Sequence, residues 1–258
     1  MTKEQKLSLF KEALDKFETE EVKVFCSELI ELMPENSIIS SSSSTGKYHN
    51  AHQCKIFGNL YHTLMLCEIG NYLLELEHNQ ERFPSPTERD CIRLSLICHD
   101  SVKYGWNGAQ YTQFNHPLLA AEFIKTAEVE HPIADEWREY CADLVSSHSG
   151  QWNTSSRSKT VLPKPETDAQ KLVHECDYLS SRNNIDMIYS EELEYTISEI
   201  IKDIVDTYEF DFGKYKGQTV KTVFDSNPDY FSWMEDNGGL REPYKTIREK
   251  LTERGVLF

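Results

Sequence analysis

No run of about 18 consecutive apolar residues occurs in the 258-residue chain, so no segment reads as a membrane span. The opening MTKEQKLSLFKEALDKF mixes charge with apolar residues and lacks the continuous apolar core of a secretory signal. Cysteines stand at 26, 54, 67, 91, 98, 141 and 176, an odd number without a C-x-x-C pair. That excludes a disulfide framework and a thiolate zinc knuckle, and reads as reduced core thiols in a cytoplasmic protein. Basic charge is scarce as well: 27 Lys and Arg face 43 Asp and Glu, a net −16. A field of that sign repels a phosphate backbone, which excludes duplex binding by the surface as a whole. A phosphate-cradling P-loop is missing too, because Thr45-Gly46-Lys47 would need glycine at Ser41 and Ser or Thr at Tyr48.

What the chain does have is helical periodicity. Leu7, Phe10, Leu14 and Phe17, then Phe25, Leu29 and Leu32, recur at spacings of three and four, so residues 3–33 read as helical. The serine run Ser40 to Ser44 reads as loop, and helix resumes from Leu60. Ser85 before Pro86 signals an N-cap with proline at the first helical position, opening a helix that ends near His99-Asp100. Further starts are expected at Pro117, at Pro132 and at Thr167-Asp168, the last running through Ser181. The pattern changes after residue 207. Phe210-Asp211-Phe212-Gly213-Lys214-Tyr215-Lys216-Gly217 alternates aromatics with two glycines and reads as a short strand or hairpin, with helical segments around 219–225 and 228–236. Residues 211–258 hold eight basic and eight acidic residues, so the whole charge excess lies before them. The fold class is therefore mainly α, a helical body over 1–207 followed by a small α+β module over 211–258.

The chemistry lies in the histidines that sit beside small residues or at helix ends. These are His62, His99 with its neighbour Asp100, His116 and His148, followed by Asp177. Imidazole and carboxylate together suit divalent transition metals with open positions, Mn, Fe, Co, Ni or Zn. An adjacent His-Asp pair near a helix end is about 100° apart around the axis and can point into one cavity. One carboxylate can also bridge two ions, which a histidine cannot. His52, His78, His131 and His174 are given no role.

The order H … HD … H … H … D on consecutive helices resembles the HD-domain superfamily of metal-dependent phosphohydrolases, over roughly residues 45–182. The flanks carry the resemblance further. Gly46-Lys47-Tyr48-His49 before Gly58-Asn59-Leu60-Tyr61-His62 is similar to the G-K-Y-H … G-G-L-x-x-H segment of one HD group, with Asn59 in place of the second glycine and the spacing shortened by one. His99-Asp100-Ser101-Val102-Lys103 is similar to H-D-x-x-K, and His116-Pro117-Leu118-Leu119-Ala120-Ala121 to H-P-x-x-A-A. The resemblance implies a helical bundle in which His62, His99, Asp100 and Asp177 hold one ion, and Asp100 bridges to a second held by His116 and His148. Asp100 and Lys103 are the expected catalytic residues, with Lys103 neutralising substrate phosphate. Lys47, His49, Trp152 and Arg182 are the expected substrate contacts, and Trp106 is a further candidate for base stacking.

The tail resembles the small domain at the C-terminus of exodeoxyribonuclease X-like proteins, through Phe212-Gly213-Lys214-Tyr215-Lys216-Gly217 and Asp229-Tyr230-Phe231-Ser232-Trp233-Met234. Lys214 and Lys216, two apart on a strand, would face one side and, with Lys221, contact nucleic acid. The leading expectation is a metal-dependent phosphohydrolase acting on a nucleotide or related small phosphorylated substrate. The alternatives are a single-strand nuclease that uses the same site and the tail module, and a non-catalytic nucleotide-binding protein.

Overall fold

The computed structural model describes residues 1–43, 46–106, 109 and 111–256, the side chain of Val256 excepted; Ser44 of the serine run and Thr45 of the failed P-loop pattern lie outside them. At the amino terminus Thr2 caps α1 (Lys3–Leu9): its hydroxyl accepts from Gln5 N while the Gln5 side chain accepts from Thr2 N. α2 (Lys11–Leu14) and α3 (Glu20–Leu32) follow, so the single helical stretch expected over 3–33 is in pieces. The interruption before α3 has a cause far along the chain. The fully buried Asp90 carboxylate accepts from Glu18 N, Thr19 N and the Thr19 hydroxyl, occupying amides that a continuous helix would use. α3 buries Phe25, Leu29 and Ile30 completely, each contributing about 1.5–3 kcal/mol of transfer free energy.

Next come α4 (Asn36–Ile39), a short 3₁₀ turn (His52–Cys54), α5 (Gly58–Glu75), α6 (Glu77–Arg82) and α7 (Pro86–Cys98). Ser85 caps α7 through its hydroxyl, with Pro86 at the first position as the sequence indicated. α5 is the central helix: its first ten residues are all buried, and it packs against α4, α7 and α10 (Asp168–Ser180). A Cβ at Gly70 would stand 2.2 Å from Leu96 Cδ1, so glycine there lets α5 approach α7 closely. α8 (His116–Thr126) and α9 (Asp135–Ser146) pack on each other, with α9 also on α7 and α10. α9 begins three residues beyond the expected Pro132, with Asp135 and Glu136 in its first turn. Thr167 caps α10 with a complete capping box to Gln170. α11 (Glu191–Thr207) closes the body by lying against α1.

Beyond α11 no strand occurs among the described residues. The expected hairpin reduces to one antiparallel bridge, Glu209 with Thr219. Gly213 and Gly217 adopt φ of +71° and +80°, left-handed values that turn the chain instead of extending it. α12 (Val220–Ser226), α13 (Asp229–Asp236) and α14 (Tyr244–Val256) complete the tail, and α14 was not anticipated. Tyr244, Ile247 and Leu251 form its buried stripe, joining Phe210, Phe231 and Met234 in a second core. Val205 of α11 belongs to that core, and Ile201 and Tyr208 pack against both cores. Arg241 spans the two parts: its Nη1 donates to Ala109 O at 3.0 Å, and its guanidinium stands over the rings of Phe212 and Tyr104 at 5.2 and 6.0 Å.

Glu18 fastens the start of α3 to α7. Its carboxylate pairs with Arg89 and, at 2.8 Å, with Arg93. Hydrogen bonds from Arg89, then from Arg93, outweigh partial burial and hold the Glu18 carboxyl down at about 2. A depressed folded-state pKa contributes stability above the unfolded value and loses it as pH falls through the folded value. Glu18→Gln is therefore expected to lower stability to urea at pH 7, with the deficit shrinking below about pH 4.3 and vanishing near pH 2. A deficit of constant size across that range would contradict this assignment.

Candidate metal centre

Five elements deliver six side chains to one point. α5 carries His62 in its second turn, the end of α7 projects His99 and Asp100, and α8 begins with His116. His148 follows α9, and Asp177 lies in the last turn of α10. His62, His99, Asp100 and His148 are buried, while His116 and Asp177 are partly open. All six expected ligands are thus brought together.

The donor atoms divide into two groups around Asp100. On its Oδ2 side, His99 Nε2 stands at 3.4 Å and His62 Nε2 at 3.9 Å. The two Nε2 atoms are 3.2 Å apart, and Asp177 Oδ1 is 3.1 Å from His62 Nε2. On its Oδ1 side, His116 Nε2 stands at 3.0 Å and His148 Nε2 at 3.9 Å, again 3.2 Å from each other. Ligand atoms about 2.1 Å from a shared ion stand about 3.0–3.4 Å apart along a coordination edge, and farther when opposite. Most of the spacings in both groups fall on such edges, and the 3.9 Å separations of His62 and His148 from Asp100 lie beyond them.

The hydrogen bonds behind the rings fix which nitrogen faces inward. Nδ1 donates to Leu96 O in His99, to Gln113 O in His116 and to Val145 O in His148, each at 2.8 Å. In His62, Nδ1 donates to Ser180 Oγ at 3.2 Å, since that hydroxyl spends its own proton on Asp177 O. With the proton held at Nδ1, a neutral ring presents its Nε2 lone pair to the cluster, the arrangement of a metal-ligating histidine. His116 then sets a lone pair against Asp100 Oδ1, a buried oxygen that receives no hydrogen bond among the described residues. Lone pair facing lone pair in a dry site is unfavourable unless a cation lies between them. The residues present fit a divalent metal.

Charge balance is built in. Lys103 is buried, and its ammonium donates to Asp100 Oδ2 at 2.6 Å, Asn59 Oδ1 at 3.1 Å and Ser42 Oγ at 3.2 Å. Burial would raise the Asp100 carboxyl, but the Lys103 ammonium outweighs it and holds the group well below the carboxylate range. Burial opposes the Lys103 ammonium in turn, and Asp100 outweighs it, so lysine stays charged. Burial and then the His116 ring press His148 down to about 3.

Of the other expected contacts, His49 adjoins the cluster. His49 is half-buried, its Nδ1 2.7 Å from Gln53 Oε1 and its ring 5.3 Å from that of His62; burial, then His62, lowers it to about 4. Trp152 stacks on Tyr178 at 5.7 Å and 13°, and Arg182 lies over Tyr178 at 4.2 Å and over Tyr48 at 5.6 Å. Lys47 is exposed beside the Tyr48 ring. Trp106 instead packs edge-on against Phe123 of α8. In the tail the three lysines do not share a face. Lys214 borders a pocket with Trp233, Lys216 borders a groove with Glu35 and Asp203, and Lys221 pairs with Asp225 at 2.7 Å.

Four supporting residues escaped the sequence reading. Asn59 bridges Lys103 and Ser37 O, and Gln53 ties His49 to Ser180 O. Ser180 orients His62, and His174 donates to His148 O at 2.8 Å. Asn59 left a trace, as the departure from the glycine pattern before His62, and His174 was given no role.

Comparison with known proteins finds two family matches. The HD domain matches residues 59–211, more than half of the chain, starting after the Gly46-to-His49 segment and running through α11. The exodeoxyribonuclease X-like C-terminal family matches residues 210–237, stopping short of α14. No curated protein and no solved structure matches.

Proposed function

Since the chain belongs to the HD domain family of metal-dependent phosphohydrolases, we propose that it cleaves a phosphoester or phosphoanhydride of a nucleotide or related small substrate at a centre of two divalent ions. The observation that carries this reading is the division of Asp100, whose two oxygens face two separate histidine pairs. His62, His99, Asp100 and Asp177 would hold one ion, and Asp100, His116 and His148 the other. When bound there, the ions supply charge neutralisation at phosphoryl oxygens and an acidified water as nucleophile.

The chain's own groups prepare the site. Four Nδ1 donors keep the imidazoles aimed inward, so no reorientation is needed as the site fills. Lys103 holds Asp100 ionised and in place, and since its three bonds end on Asp100, Asn59 and Ser42, it is assigned here to positioning Asp100. Cationic contact with the substrate phosphate then falls to Lys47 and Arg182, with His49 offering a neutral ring, and Trp152 provides a flat face for a base. The −16 charge of the body favours a small substrate over a polymer.

Metal analysis of the purified protein, then a phosphate-release screen over nucleoside triphosphates, monophosphates, cyclic dinucleotides and oligonucleotides, tests this reading. The expected result is two transition-metal equivalents and a nucleotide turned over with shallow dependence on salt, lost on chelation. A steep salt slope with activity confined to oligonucleotides would instead favour the nuclease. A protein that neither binds metal nor releases phosphate would overturn both.

A further inference from the structure

The tail holds a second concave site that owes nothing to the metal centre. Around a cavity of ≈ 630 Å³ stand Phe212, Lys214, Asn227, Tyr230, Trp233 and Asn237. Trp233 stacks on Tyr230 at 5.5 Å with planes 16° apart, yet it remains 56% exposed, so one face is backed by protein and much of the ring meets solvent. The second core does not need it, being filled by Phe210, Phe231, Met234 and Tyr244. Tyr215 meets Tyr230 edge-on at 4.7 Å and is fixed by Asn227, whose Nδ2 donates to its hydroxyl at 2.7 Å. Gly213 makes the cavity wall, since its chain passes so close that a Cβ would stand 3.1 Å from the Tyr230 hydroxyl. Above these rings Lys214 Nζ stands 4.7 Å from the Tyr215 centroid and 5.8 Å from that of Tyr230. No ion pair joins it to a carboxylate among the described residues, unlike Lys221 and Lys250 of the same module.

From this geometry we infer that the Trp233 pocket binds a single nucleotide unit, its base stacked on Trp233 and its phosphate paired with Lys214. The size supports one unit, because pockets of about 300–1,000 Å³ take one small ligand and not an extended strand. The chemistry supports a base with an anion attached. An exposed indole backed by a second ring stacks on any base, Asn227 and Asn237 offer amide oxygens to base edges while their Nδ2 groups donate to the Tyr215 hydroxyl and to Trp233 O, and the Lys214 ammonium, which no carboxylate pairs among the described residues, complements phosphate beside Asp229 of the same lining. Lys216 and Lys221 face elsewhere, so the pocket contacts about one phosphate. The unit can come from a free nucleotide or from the end of a single strand.

Binding of two hydrolysis-resistant probes to the full-length protein separates these sources: a phosphonate analogue of adenosine monophosphate, and a fluorescein-labelled phosphorothioate oligothymidylate. Trp233→Ala is expected to weaken binding about tenfold, with part of the loss restored in Trp233→Phe. Lys214→Ala is expected to erase the preference for the phosphonate over plain adenosine, and to reduce the salt slope for the oligonucleotide by about one phosphate contact. Unchanged thermal unfolding and metal content in each variant separate pocket effects from misfolding and from the metal centre. Weakening of both probes marks a site for any single nucleotide, weakening of the phosphonate alone a site for a free nucleotide, and weakening of the oligonucleotide alone a site for a strand end. Unchanged affinity for both overturns the inference, whatever the fate of the metal centre.

Discussion

Asp100→Ala is expected to empty both halves of the centre at once and to abolish hydrolysis. The reason is geometric: Oδ2 faces His62 and His99, Oδ1 faces His116 and His148, and no other carboxylate lies between the pairs among the described residues. Loss of an outer partner of a metal ligand costs about 10–100-fold in affinity, and loss of the ligand shared by both halves should exceed that range. His116→Ala serves as the comparison, since it should weaken the Oδ1 side and leave His62, His99 and Asp177 holding theirs. Elemental analysis of both variants decides the matter. Full metal content in Asp100→Ala would remove the bridge, and identical losses in the two variants would show that the halves are not separate.

Lys103→Ala is expected to be the most destabilising single change near the site when metal is removed. It strips the 2.6 Å partner from a fully buried carboxylate and leaves Asn59 Oδ1 without its donor. Removing one member of a buried pair costs about 3–5 kcal/mol, because the other charge stays uncompensated. Added divalent metal should restore part of that loss, since the cation takes over neutralisation of Asp100. Turnover should fall even with metal restored, as Asp100 loses the contact that aligns Oδ2. Urea unfolding with chelator and with metal measures the first effect, and hydrolysis at saturating metal the second. A metal-free variant as stable as the parent would show that Lys103 does not carry Asp100. Full turnover in a metal-loaded variant would show that Asp100 needs no such support.

Much of the site was legible because ligand chemistry is written in residue types. His62, His99, Asp100, His116, His148 and Asp177 could be singled out since few side chains bind transition metals, and since their flanking small residues and helix ends set them apart from solvated faces. Helix starts were legible for a similar reason. The caps expected at Ser85 before Pro86 and at Thr167-Asp168 act through hydrogen bonds within four residues, and the structure shows them in place, with Ser85 accepting from Glu88 N and Thr167 from Gln170 N. The interruption before α3 was not legible, because Asp90, about seventy residues on, imposes it.

By itself the sequence determined the helical character of the body, the identity and order of the six metal-ligand candidates, and the neutrality of a tail attached to an acidic body. All of these rest on local propensity or on the chemistry of single side chains. Only the tertiary structure decided the rest. It turned Lys103 inward onto Asp100, parted the two oxygens of that carboxylate between two histidine pairs, and supplied Ser180 and backbone carbonyls to hold each Nδ1 proton. It replaced a strand with a glycine turn, so that Lys214 and Lys216 border different cavities. The physical reason is common to these cases: the direction of a side chain is set by the elements packed around it, and those elements come from distant parts of the chain.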